Sequence, residues 1–212
     1  MDKNYEHIET LIKRYPALAV CKQDIVNAYV ILEESYRKGN KLLVAGNGGS
    51  AADALHIVGE LMKAFVLPRK LNKQICDALD KNSQNAEYLK KNLQMALPAI
   101  ALVGEVGLIT AYSNDVAPDL MFAQQVLGYA KPGDVFLGIS TSGNSKNIIY
   151  AAEVAKARGM RVIGLTGENG GKMKGVSDVC IKVPEKETFK VQELHLPVYH
   201  AICLEVEKSI FG

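Results

Sequence analysis

The stretch KLLVAGNGGSAADALHIVGELMKAF, residues 41–65, decides how the rest of the chain is read. It opens on a short apolar run, KLLVAG (41–46), which has the length and composition of a buried strand and ends at a glycine. A thin loop, GNGGS, follows, and helical spacing is expected from about Ser50 to Phe65. The same alternation recurs downstream. PAIALVG (98–104), VFLGIS (135–140), RVIGLTG (161–167) and VCIKVP (179–184) read as strands. Helices are expected over about 118–129, 144–158 and 188–208. Strands alternating with crossover helices predict an α/β three-layer sandwich, a five-stranded parallel sheet flanked by helices. Ligands of such sheets sit at the carboxyl ends of the strands.

Two segments stand outside that alternation. In residues 1–38, Ile8, Leu11, Ile12, Tyr15, Leu18 and Val20 form one helical stripe and Ile25, Ala28, Tyr29, Ile31 and Leu32 a second, with a break at Pro16. Their apolar faces suit burial against a partner subunit. Residues 70–97 are polar, lack a strand signal and read as a helical insertion. The whole of 1–212 is expected to be a single domain.

Composition narrows the function. The 212 residues carry a formal charge of only +2 with no basic block, which argues against nucleic acid. The N-terminus MDKNYEHIET is too polar for a signal peptide. The longest apolar run, 96–110, contains Pro98 and Glu105 and is too short for a membrane span. Cys21, Cys76, Cys180 and Cys203 are widely spaced with no CxxC pair, as expected of reduced thiols in the cytoplasm.

Four motifs carry chemistry. In GNGGS, the glycines let backbone N–H groups approach a ligand at a helix N-terminus. The loop matches neither a phosphate-binding GxxxxGK[ST] motif nor a dinucleotide GxGxxG, and a plain turn with Ser50 as N-cap is the alternative. GISTSGNS (138–145) puts Ser140, Thr141, Ser142 and Ser145 around a second helix N-terminus, enough hydroxyls to hold a phosphate monoester without lysine or magnesium. His56 and Glu60, at i and i+4, share a helix face and suit two metal ligands, an acid–base pair or a simple surface pair. In VQELHLPVYH (191–200), His195 and His200 point about 140° apart on an ideal helix, so they should not serve one site. Gln192 and His200 lie about 12 Å apart along the axis and converge only through a bend near Pro197 or a second subunit. His195 is expected to be structural.

Together, GNGGSAADALH with Glu60, SND (113–115), GDVFLGISTSGNSKN, GMRVIGLTGENGG and VQELHLPVYH resemble the phosphoheptose isomerases of the sugar isomerase (SIS) domain class. The resemblance runs over about residues 40–210. It implies a flavodoxin-like SIS fold, a homotetramer with shared active sites, and conversion of D-sedoheptulose 7-phosphate to D-glycero-D-manno-heptose 7-phosphate for activated-heptose synthesis. It implies substrate contacts from Asn47, Gly48, Gly49, Asn114, Asp115, Ser140, Thr141, Ser142, Ser145 and Gln192, with Ser50 on the sugar or phosphate. It implies one zinc ion held by His56, Glu60, Gln192 and His200, with Glu60 and His200 moving protons. Three positions depart from the family pattern. Ala64 stands where the family has an arginine, leaving Lys63 or Arg69 as replacements; residues 70–97 are longer than usual; and Pro197 sits inside the last helix, between the ligands the resemblance implies. Rival readings are a non-catalytic SIS protein that binds a protein such as a replication initiator, a sugar-phosphate-sensing regulator, and an isomerase for another phosphosugar.

Overall fold

A computed structural model describes residues 5–212. Residues 1–4, with the first part of the predicted N-terminal helical segment and of the MDKNYEHIET reading, lie outside the described residues. The chain opens with α1 (Glu6–Arg14), a 3₁₀ turn (Pro16–Cys21) and α2 (Lys22–Arg37). Pro16 breaks the first helix as expected. Val20 is an exception to the predicted stripe: the tighter 3₁₀ turn rotates it out to 78 % exposure, while Leu18 is sealed.

β1 (Leu42–Ala45) leads into α3 (Gly49–Met62). The insertion forms α4 (Lys73–Asn82) and α5 (Ala86–Asn92), a pair of short helices with one buried residue, Ala86, between them. Then come β2 (Ala99–Ala101), α6 (Val106–Asp115), α7 (Met121–Tyr129), β3 (Val135–Ile139), α8 (Lys146–Ala157) and β4 (Arg161–Thr166). The short α9 (Met173–Val176), β5 (Val179–Lys182) and α10 (Thr188–Phe211) complete the described chain. Sequence periodicity missed α6 and α9. α6 has no buried residue, and α9 is a single turn, so neither has an apolar stripe to read.

The five strands are parallel in the order β2-β1-β3-β4-β5. Alternation along each strand splits the core into two layers. Leu42, Val44, Leu137, Ile139, Ile163 and Leu165 face α1, α2, α3 and α10. Leu43, Ala45, Phe136 and Val162 face α7 and α8. Chain direction away from β1 reverses between β1 and β3, and a crevice opens at the carboxyl ends of strands flanking such a switch point. GNGGS leaves β1 and STSGNS leaves β3, so both loops meet at that crevice. Among the described residues, no helix is long and apolar enough to cross a membrane.

One buried ion pair shapes the rim. Arg69 and Glu207 are sealed from solvent and meet at 2.8 Å. Burial alone would raise the Glu207 carboxyl, but the N–H groups of Phe65, Val66 and Leu67 and the Arg69 guanidinium outweigh it and hold it below its usual range. Arg69 also donates to the carbonyls of Leu61 (2.6 Å) and Glu60 (3.1 Å), which satisfies acceptors left open at the end of α3.

Candidate active site

The two loops build one cavity of about 360 Å³. Asn47, Gly48, Gly49 and Ser50 line one side, Ser140, Thr141 and Ser145 the other, and Thr188 and Gln192 close it from α10. Asn47 and Asn147 clasp the loops with reciprocal amide bonds of 3.0 and 2.9 Å. Ser140 Oγ and Ser145 Oγ lie 3.0 Å apart, turned toward each other at the head of α8. Gly143, at φ +66°, has no substitute: a Cβ there would stand 2.1 Å from the Gly170 carbonyl oxygen. Gly49 lets Gln192 come close: its Nε2 lies 2.6 Å from where a Cβ would be, so a side chain there would push the flexible glutamine aside. Two helix N-termini and several hydroxyls meet here, a chemistry that suits an anion without a lysine.

The N-cap reading of Ser50 is corrected: Gly48, at φ +56°, is the N-cap of α3, and Ser50 lies inside the first turn, 3 % exposed. Ser142 is exposed and lines a neighbouring cavity with Asn144 and Glu168. Asn114 and Asp115 end α6, bonded to each other at 2.9 Å and exposed, and they line neither loop cavity.

Farther along α3 lies a second cluster. His56 Nε2 is 3.1 Å from Glu60 Oε1 and 3.4 Å from His200 Nε2. The His56 and His200 rings meet edge-on at 4.9 Å, with Phe65 against His200 at 5.6 Å. Burial, then the neighbouring His56, lower the His200 pKa against the pull of Glu60. On its other side, His56 Nδ1 meets the Tyr199 hydroxyl at 3.0 Å, and that hydroxyl donates to Asp53 Oδ1 at 3.2 Å. Burial raises the Asp53 carboxyl, with the Tyr199 bond and His56 working against it. Asp53, Tyr199, Asn147 and Thr188 were not singled out from sequence. The i, i+3 spacing of Asp53 and His56 was the one available signal.

His195 is separated from this cluster, as its angle predicts. It is fully buried, neither ring nitrogen makes a well-formed hydrogen bond among the described residues, and burial drives its pKa down to about 4, with a weak contact to the Thr166 backbone opposing. Gln192 stays with the loops and, among the described residues, makes no hydrogen bond to His56, Glu60 or His200. Pro197 does not end α10, which runs unbroken from Thr188 to Phe211. Of the two replacements considered for the family arginine, Arg69 is ruled out by its burial against Glu207. Lys63 is the cation beside the site, with Nζ 3.4 Å from Glu60 Oε2.

Among the described residues, no three His, Cys, Asp or Glu side chains form a ready-made metal cage. The His56 cluster nevertheless brings two imidazole nitrogens and a carboxylate oxygen together pairwise through one ring. That donor chemistry fits a divalent ion such as zinc with a position left for substrate.

A cavity of glycines and hydroxyls at the switch point of a parallel sheet, with two histidines and a carboxylate at the end of the same helix, has the chemistry of an α/β protein that handles a phosphorylated sugar, and a SIS domain model matches residues 86–167. The chain belongs to the phosphoheptose isomerase family. It is 43 % identical to the phosphoheptose isomerase of Aneurinibacillus thermoaerophilus over 84 % of this chain and 77 % of that one. It is 37 % identical to that of Akkermansia muciniphila over 93 % and 92 %. The solved phosphoheptose isomerase of Neisseria gonorrhoeae superposes with a TM-score of 0.74 at 32 % identity, covering 95 % of each chain.

Proposed function

We infer that this chain is an aldose–ketose isomerase converting D-sedoheptulose 7-phosphate to D-glycero-D-manno-heptose 7-phosphate, the first step toward activated heptose. The observation that carries the reading is the meeting of His56, Glu60 and His200, drawn from two helices, along the helix whose N-terminus builds the anion cradle. From Gly49 to His56 the rise is on the order of 10 Å, the scale of an extended seven-carbon phosphate.

The amides and hydroxyls at Gly48, Gly49, Ser140, Thr141 and Ser145 hold the phosphate, and Asn47, Ser50 and Gln192 orient the sugar. Binding energy at that end positions C1 and C2 at the cluster. Glu60 takes the proton from C1 of the ketose and returns it to C2, while His200 exchanges a proton with the substrate oxygens. The carbonyl moves from C2 to C1 with no external oxidant. His56, Glu60 and His200 would hold a zinc ion, with Gln192, the family's fourth ligand, reaching it only if its side chain leaves Gly49, and that ion would supply positive charge against the negative charge developing on the substrate oxygens. Lys63 stands in for the family arginine.

A homotetramer with sites between subunits belongs to the same reading. Leu55 and Met62 on α3 and Phe189 and Leu196 on α10 are exposed beside the cluster and offer apolar surface for a second copy. Asn114, Asp115 and Ser142 would complete a substrate site across such a contact. Four free thiols and a phosphorylated substrate suit the cytoplasm.

The test is turnover of sedoheptulose 7-phosphate by purified protein. Glu60→Gln and His200→Ala should each lower kcat by at least about 100-fold with the oligomer intact by sedimentation. A wild-type rate in either variant overturns the proton-transfer role of the residue replaced, and no turnover by the wild-type chain overturns the function.

A further inference from the structure

Tyr199 is 2 % exposed, yet its hydroxyl is turned out of the core toward α3. It touches two side chains one helical turn apart, Asp53 and His56, at 3.2 and 3.0 Å. The tyrosine ring is wedged edge-on against both histidines, 5.6 Å from His56 and 5.0 Å from His200. The ring sets the hydroxyl's position, and the carboxylate sets its direction.

A phenol has one hydrogen to give. In this site it goes to Asp53 Oδ1, so only the oxygen's lone pairs face His56. His56 Nδ1 is then the N–H partner on this side, while Glu60 Oε1, an acceptor 3.1 Å from Nε2, favours a proton on the other nitrogen, so the two carboxylates compete and the Asp53–Tyr199 pair must prevail. In a neutral imidazole, that leaves the lone pair on Nε2, the nitrogen that faces Glu60 and His200. We propose that Tyr199, held by Asp53, is a positioning residue that fixes His56 in the Nδ1–H tautomer with its Nε2 lone pair aimed at the catalytic cluster. This inference rests on the metal-assisted isomerase reading for its consequence, but its geometry concerns this chain alone. A histidine so fixed offers a metal a lone pair without first losing a proton or turning its ring.

Asp53 is what gives the device its sign. Without that acceptor, the same hydroxyl is free to donate to Nδ1, and the proton of His56 shifts to Nε2, where it blocks ligation. Tyr199→Phe removes the bond but keeps the ring packing; Asp53→Ala keeps the hydroxyl but releases it.

The experiment has two readouts. Long-range proton–nitrogen spectra of the metal-free chain report the His56 tautomer, with His56→Gln identifying its signals among the four histidines. Competition with a chromogenic chelator reports zinc affinity. The wild-type chain should show Nδ1–H. Tyr199→Phe should give mixed tautomers and Asp53→Ala a shift toward Nε2–H, each binding zinc about 10- to 100-fold more weakly. A wild-type Nε2–H tautomer, a tautomer unmoved in Tyr199→Phe, or unchanged zinc affinity in both variants overturns the inference and leaves Tyr199 as packing. Failure of the wild-type chain to isomerise tells against the enzymatic reading instead, whatever the tautomer shows. Near-UV circular dichroism of both variants should match wild type; if Tyr199→Phe alone unfolds, Asp53→Ala decides.

Discussion

His195 shows how one side chain can be placed correctly by geometry and still carry an unexpected cost. The angular argument that keeps it from His200 also points it into the core, where, among the described residues, neither nitrogen makes a well-formed hydrogen bond and only the Thr166 backbone favours its charge. Its folded pKa of about 4 lies below the ordinary value of 6.5. The unfolded chain therefore binds a proton that the folded chain refuses as pH falls from about 6.5 to 4. Stability contributed by this residue is present above the unfolded pKa and is lost through that window, to a limit of about 3 kcal/mol. His195→Leu should match or exceed wild-type stability at neutral pH, and its advantage should grow on acidification. Denaturant titrations at pH 7 and pH 5 check this; parallel losses in the two proteins would refute it.

At the scale of elements, the end of α3 is held by a residue far away in sequence. Glu207 on α10 gathers three consecutive N–H groups of the loop after α3, and Arg69 spans from Glu207 to the carbonyls of Glu60 and Leu61. This strap fixes the last turn of α3, which carries Glu60, and the start of the loop that carries Lys63. Arg69→Met should cost about 3–5 kcal/mol, because it leaves the Glu207 charge buried without its cation, and should lower Tm by on the order of 10 °C. Differential scanning calorimetry measures it. A melting point within about 2 °C of wild type would mean that the loop repacks and the strap is dispensable.

Across the whole molecule, the core and the chemistry are separable. Two apolar layers close over the sheet without help from the His56 cluster, which lies at the surface where α3 meets α10. If zinc serves the site as proposed above, exhaustive chelation should abolish turnover while leaving the far-UV circular dichroism unchanged, and added zinc should restore the rate. Full activity after exhaustive chelation would remove the metal from the mechanism and leave Glu60 and His200 acting alone.

Much of this was legible in the amino-acid order because it depends on neighbours. Short apolar runs and helical periodicity located all five strands, the helices α3, α7, α8 and α10 and the break at Pro16, but not α6 or α9. The glycines and hydroxyls of GNGGS and STSGNS marked the loops that a parallel sheet carries to one edge. The i, i+4 spacing put His56 and Glu60 on one face of α3, and the order of the motifs carried the family. Other features depended on packing across long separations. The meeting of His56 with His200 joins residues 144 apart. Arg69, one of two candidates for the family arginine, became a sealed strut because Glu207 lies behind it. Tyr199 reads as one more core aromatic until its hydroxyl is seen between Asp53 and His56, and Gln192 lies against Gly49 because no Cβ stands there to exclude it. Local pattern specifies which segments form and which faces are apolar; which side chains then touch is settled only when those faces pack, since burial and hydrogen bonding between distant segments have no signature in the spacing of either one.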